Sequence, residues 1–210
     1  MVYLKKDFLN HINSVKPEGF RILDGHAIFQ KKESNRELQI HLATREYFPH
    51  GAYIFGSMGN IIFEEVEKEL IPLYRAERVK NSSNYTIKNS LVNIEGIDYK
   101  LLDQEINNDS TFAKISGELQ KLIAAALAFF DQYNTIEEVA NLLADKEPKE
   151  IVPFIQGAIL LPKAILILKL AGHPKFQEKR DEFYELIKKQ AAKKEQAQAH
   201  LKVFEKLFIK

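Results

Sequence analysis

The residues with most chemical reach in this chain are its six histidines, His11, His26, His41, His50, His173 and His200. No two lie within four positions of each other, so neither H-x-x-x-H nor H-E-x-x-H occurs. His41 and His50 can meet across a hairpin, with Glu46 in the connection, and two imidazoles plus a carboxylate can hold a divalent metal. These donors are brought together only by long-range pairing, so the reading favours surface histidines and predicts no metal site. Ser57 invites comparison with the nucleophile elbow G-x-S-x-G, but Phe55 stands where the first glycine belongs. Gly56-Ser-Met-Gly-Asn60 reads as a turn between a strand and a helix, where backbone amides can hold a phosphate. No G-x-x-x-x-G-K-[ST] completes it, so no nucleotide or other cofactor is predicted.

Glu64, Glu65, Glu67 and Glu69 form a carboxylate cluster on one predicted helix. With Val66 and Leu70 as the apolar side, the expectation is a solvated acidic face rather than an acid–base pair. Residues 175–210 carry 10 basic and 6 acidic side chains, including Lys188, Lys189, Lys193, Lys194, Lys202 and Lys206. Such a stretch can meet phosphates, but Glu195 and Glu205 interleave and no arginine follows Arg180. Nucleic-acid binding is therefore the weaker alternative. The segment Arg45-Glu-Tyr-Phe-Pro-His50 offers Arg45, Glu46, Tyr47, Phe48 and His50 on a connection stiffened by Pro49. Arginine and aromatic residues are the types enriched at protein-interface hot spots. With His41 and Tyr53 beside it, this is the candidate binding surface.

Elements must position these groups. Leu4, Phe8, Ile12 and Val15 repeat at helical spacing, and Pro17-Glu-Gly19 ends the helix. Phe20–Leu23 and His26–Lys31 flank Asp24-Gly25, a hairpin signal. From Glu37 to Thr44 the alternation is strict: Leu38, Ile40 and Leu42 face one side, Gln39, His41 and Ala43 the other. Gly51–Met58 is its expected partner strand. A helix is expected from Ile61, capped by Asn60, to near Pro72–Tyr74. Residues 79–90 read as a polar loop, and Leu91–Ile94 with Ile97–Leu102 as a further hairpin.

After residue 110 the period changes from two to 3.6. Phe112, Ile115, Leu119, Leu122, Ile123, Ala126 and Phe130 keep one helix face apolar. Thr135-Ile-Glu-Glu138 matches the capping box. Ile151–Leu170 reads as a central helix kinked at Pro162, interrupted by Lys163 and Lys169, and so a core element rather than a membrane span. Gly172 suits its end, and one last helix is expected from Pro174 to about Phe208.

The totals bound the function classes. At 45% hydrophobic residues the 210-residue chain can bury a core, and a net charge of +1 supplies no bulk attraction to nucleic acid or membrane. It has no cysteine, which removes disulfides, thiolate metal sites and cysteine nucleophiles. Met1–His11 contains no apolar run of signal-peptide length, and a cytoplasmic protein is expected.

Val15-Lys-Pro-Glu-Gly-Phe20, the strands through Phe29-Gln-Lys31, and Leu38-Gln-Ile-His-Leu42 resemble an uncharacterised bacterial α+β family, a domain of unknown function. The resemblance covers about residues 1–75. It implies an opening helix followed by a meander of strands, and a binding role, since some relatives look like immunity or accessory proteins of bacterial toxin systems.

The expected architecture is α+β: an N-terminal antiparallel sheet with helices over residues 1–106, then an all-helical region of about four helices over 107–210. The expected function is a non-enzymatic protein-binding module, with another protein as partner. A small-ligand-binding or enzymatic role at the sheet face around His41 is the first alternative. No catalytic residue is assigned.

Overall fold

The computed structural model describes residues 5–23, 26–47, 51–79, 85–91, 94–155 and 160–209. The fold is the expected one: an N-terminal antiparallel sheet with helices, then an all-helical C-terminal region. The elements run α1 (Lys5–Ser14), β1 (Arg21–Ile22), β2 (Ile28–Lys32), β3 (Arg36–Tyr47), β4 (Gly51–Phe63), α2 (Glu64–Ala76), β5 (Ile87–Ser90), α3 (Tyr99–Leu102), α4 (Asp109–Gln132), α5 (Ile136–Ala144), α6 (Pro148–Ile151), α7 (Leu160–Leu170), α8 (Phe176–Ala191) and α9 (Glu195–Phe208). Among the described residues five strands form one sheet in sequence order, so each one neighbours the next. The predicted turn at Asp24-Gly25 lies outside the described residues.

The chain folds into two compact units, residues 1–61 with 89–131 and residues 62–88 with 132–210. Each unit is assembled from two separate stretches of sequence.

In the first unit, Leu38, Ile40 and Leu42 of β3 are buried, as their alternation dictates. Register ties them to β2, with Phe29 opposite Ile40 and Ile28 opposite His41. Along β4 the inward positions pass from Ala52 and Ile54 to Ser57, Gly59 and Ile61. Helix α4 lies against this face. A Cβ on Gly59 would sit 3.4 Å from Phe129 and Phe130 and 3.6 Å from Ala126, so the absent side chain lets helix and strand approach closely. The Nη1 of Arg36 donates to the Phe130 carbonyl at 2.8 Å, satisfying an acceptor near the C-terminal end of α4.

Several expectations are corrected here. Gly56–Asn60 is not a turn; it lies inside β4, which runs on to Phe63. Asn60 is therefore no N-cap, and α2 starts at Glu64 and passes through Pro72 to Ala76 because Leu70 and Tyr74 are buried. Residues 87–90 are a strand rather than loop. Of the stretch 91–102, where a hairpin is expected, residues 92 and 93 lie outside the described residues and the described ones form no strand; Asp98 caps the short α3, its carboxylate accepting from the amides of Lys100 and Leu101 at 3.0 and 3.1 Å.

In the second unit, Thr135 and Glu138 form the predicted capping box of α5. The single helix expected over 151–171 is two pieces: α6 ends at Ile151, turn residues follow, and α7 is described from Leu160. Pro162 is the third described residue of α7, and the four residues before that helix lie outside the described set. Gly172 has φ of +60°. Its N–H reaches Lys169 O and that of His173 reaches Leu168 O, the paired bonds of a Schellman ending. The last helix is also two. The chain breaks after Ala191, and α9 folds back along α8 with Tyr184 stacked on Phe204 and Phe176 against Phe208.

Candidate functional site

The outer face of the N-terminal sheet is built by the same alternation that fills its core. Positions 37, 39, 41, 43 and 45 of β3 all point away from Leu38, Ile40 and Leu42. Register places Gln30 opposite Gln39 and Arg21 opposite Gln30, so three strands contribute to one face. Their polar ends are linked. Arg21 donates to Gln30 Oε1 through Nε at 3.0 Å and Nη2 at 2.7 Å. The amides of Gln30 and Gln39 both donate to Glu37 Oε1. Gln39 Oε1 lies 2.6 Å from His41 Nε2. The result is a continuous ladder, Arg21–Gln30–Glu37–Gln39–His41. Burial holds the His41 imidazole below its ordinary pKa, and His26 pushes it in the same direction, so the ring is neutral at neutral pH.

Of the predicted surface residues, His41 and Arg45 share this outer face, and Tyr53 lies on β4. His41 and Tyr53 are half-buried and Arg45 is exposed. Tyr53 donates to Glu105 Oε2 at 3.4 Å. Glu46 and Tyr47 belong to β3, but their side chains lie outside the described set, as do Phe48 and His50 entirely. The connection is therefore shorter than the sequence suggested, because β3 continues through Tyr47. Arg21, Gln30 and Glu37 were not singled out in the sequence; the alternation of His26–Lys31 against Glu37–Thr44 was the available signal.

The second unit contains two further features. One is a buried polar cluster. Lys163 Nζ, with no exposed surface, donates to Glu67 Oε1 at 2.7 Å and to the Tyr85 carbonyl at 2.5 Å. Thr86 Oγ1 donates to the same Glu67 oxygen at 3.1 Å and accepts from Phe63 N at 2.9 Å. Burial drives the Lys163 pKa down, opposed by the attraction of Glu67. The Tyr74 hydroxyl is buried without a hydrogen-bond partner, and burial together with Glu67 keeps it protonated. The expected solvated acidic face is thus corrected: Glu64, Glu65 and Glu69 are exposed, while Glu67 is buried as the partner of a buried cation. The signal for it was Lys163, a lysine inside the most apolar stretch of the chain.

The other feature is a groove of about 380 Å³ among α6, α7, α8 and α9. Leu161, Pro162, Ile187 and Ala197 form its floor. Lys149, Gln190, Lys194 and His200 stand around it. His200 is half-buried, and that burial lowers its pKa. Nothing in the sequence announced the groove, since it needs the α8–α9 turn that the sequence reading missed.

Ser57 lies inside β4, buried and without a hydrogen-bond partner for its hydroxyl, and no helix follows it directly. Among the described residues no group of three or more His, Asp or Glu is placed to hold a metal ion, and no helix is long and apolar enough to cross a membrane. The basic stretch of residues 188–206 is divided between two antiparallel helices, with Lys188 paired to Glu185 and Lys206 to Glu77. No protein-family model matches the chain, and neither a curated protein nor a solved structure matches it.

Proposed function

We propose that this chain is a non-catalytic protein-binding module and that the outer face of its N-terminal sheet is the docking surface. The observation that carries this reading is the Arg21–Gln30–Glu37–Gln39–His41 ladder. Five side chains from three strands are held in one arrangement on the face opposite Leu38, Ile40 and Leu42, with Gln30 buried at its centre. Immobilising a flexible side chain on association costs about 0.5–1.5 kcal/mol, and a ladder ordered beforehand avoids part of that cost. Arg45 extends the face with a residue type that anchors interfaces. The resemblance of residues 1–75 favours an immunity-like form of this role, with a bacterial toxin protein as the partner.

The test compares baits rather than relying on capture alone. Full-length wild type and a Gln39→Lys/His41→Glu variant are matched for melting temperature and used in parallel pull-downs from native lysate. The expected result is a stoichiometric protein held by wild type and released by the variant. Equal retention by both baits removes this face as the docking surface.

A further inference from the structure

We propose that the groove among α6, α7, α8 and α9 is a binding site for a small anionic amphiphile, an acyl chain ending in a carboxylate. This site lies in the second compact unit and is independent of the sheet face. Its floor of Leu161, Pro162, Ile187 and Ala197 is apolar, and Val152 at its edge is 52% exposed. Apolar surface left open in a concavity of this kind is stabilised by an apolar occupant.

The rim decides the sign of the head group. Its two formally charged side chains, Lys149 and Lys194, are both cationic, and no aspartate or glutamate lines the groove. Both are exposed, and neither charge is neutralised by a carboxylate of the groove itself. Gln190 and His200 add neutral hydrogen-bonding groups beside them. A cationic ligand meets two like charges there, and a neutral alkane leaves the polar rim unused. A carboxylate on an acyl chain satisfies both parts of the site.

A groove of about 380 Å³ is in the range of small-molecule sites, and decanoate, a medium-length acyl carboxylate, is the probe used.

Calorimetric titration of the full chain with decanoate, decanol and decyltrimethylammonium, each below its micelle threshold, tests the proposal. The expected order of affinity is decanoate, then decanol, then decyltrimethylammonium. Lys149→Glu/Lys194→Glu changes two exposed side chains and leaves the core intact. It should weaken decanoate about tenfold or more, since two favourable charge contacts become two repulsive ones, while decanol binding stays within about twofold of wild type. Ala197→Trp fills the floor and should abolish binding of all three probes. If that variant does not fold, competition between decanoate and decanol for one site in wild type replaces it. Absence of decanoate binding at millimolar concentration overturns the proposal. So does equal affinity for the three probes, and so does decanoate binding that the double lysine variant leaves unchanged.

Discussion

Lys163 Nζ and Glu67 Oε1 lie 2.7 Å apart, although the two residues are 96 positions apart in the chain, and both side chains are buried. The ammonium also holds the Tyr85 carbonyl, so one side chain of α7 fixes both α2 and the approach to β5. Removing one partner of a buried pair costs about 3–5 kcal/mol because the other charge is left uncompensated. Lys163→Met should therefore unfold at markedly lower urea concentration. Lys163→Met/Glu67→Leu should recover at least half of that loss, measured by equilibrium denaturation with an unchanged m-value. A double variant no more stable than the single one contradicts the pairing.

Gly51 has φ of +144°, and a Cβ there would come within 2.7 Å of the Ile106 carbonyl oxygen. The same backbone forms the Ala52–Ile106 bridge. Gly51→Ala should destabilise by about 1–3 kcal/mol, from left-handed strain and displaced backbone together. Gly96 is a control, since it has φ of +79° but no atom within 4 Å of its Cβ position. Gly96→Ala should lower the melting temperature less. Equal losses at both positions would mean that strain alone, not the contact with Ile106, accounts for the effect.

Ser57 contributes a buried hydroxyl without a partner. Replacing an unsatisfied buried polar group by an apolar one of similar shape is close to neutral or stabilising. Ser57→Ala should match or exceed wild type in chemical denaturation. A loss of more than about 1 kcal/mol shows instead that the hydroxyl makes a hydrogen bond in solution.

The His41 pKa is below the ordinary 6.5 in the folded protein, first through burial and second through His26. The unfolded chain then binds more protons in this region, so stability rises with pH across the interval below 6.5 and levels off above it. Equivalently, the fold weakens as acidification passes 6.5 towards the lowered value. His200, depressed by burial, acts in the same direction. Urea midpoints at about pH 7.5 and about pH 5.5 should differ, with the lower value at the acidic pH. His41→Gln should narrow that gap; an unchanged gap would assign the dependence to other groups.

Local pattern was sufficient where an element is stabilised by its own face or its own ends. The alternation of Leu38, Ile40 and Leu42 placed β3 and its buried side correctly, and with it the outer face carrying Gln39 and His41. Phe112 to Phe130 placed α4, Thr135 and Glu138 the start of α5, and Gly172 the end of α7. Periodicity and capping act within a few residues, so nearest-neighbour spacing carries them.

Other features needed the tertiary structure. Gly56-Ser-Met-Gly-Asn60 has turn propensity, yet it is extended because β4 lies between β3 and β5 and pairs with both, while Gly59 admits α4. Sheet pairing outweighs a local preference that amounts to about 1 kcal/mol. Glu67 sits among exposed glutamates and differs from them only because α7 brings Lys163 to it. The α8–α9 turn exists because Phe204 and Phe208 find Tyr184 and Phe176 on the preceding helix. That fold-back also creates the groove. Each of these depends on contacts between residues far apart in sequence, where spacing along the chain holds no record of which side chains meet.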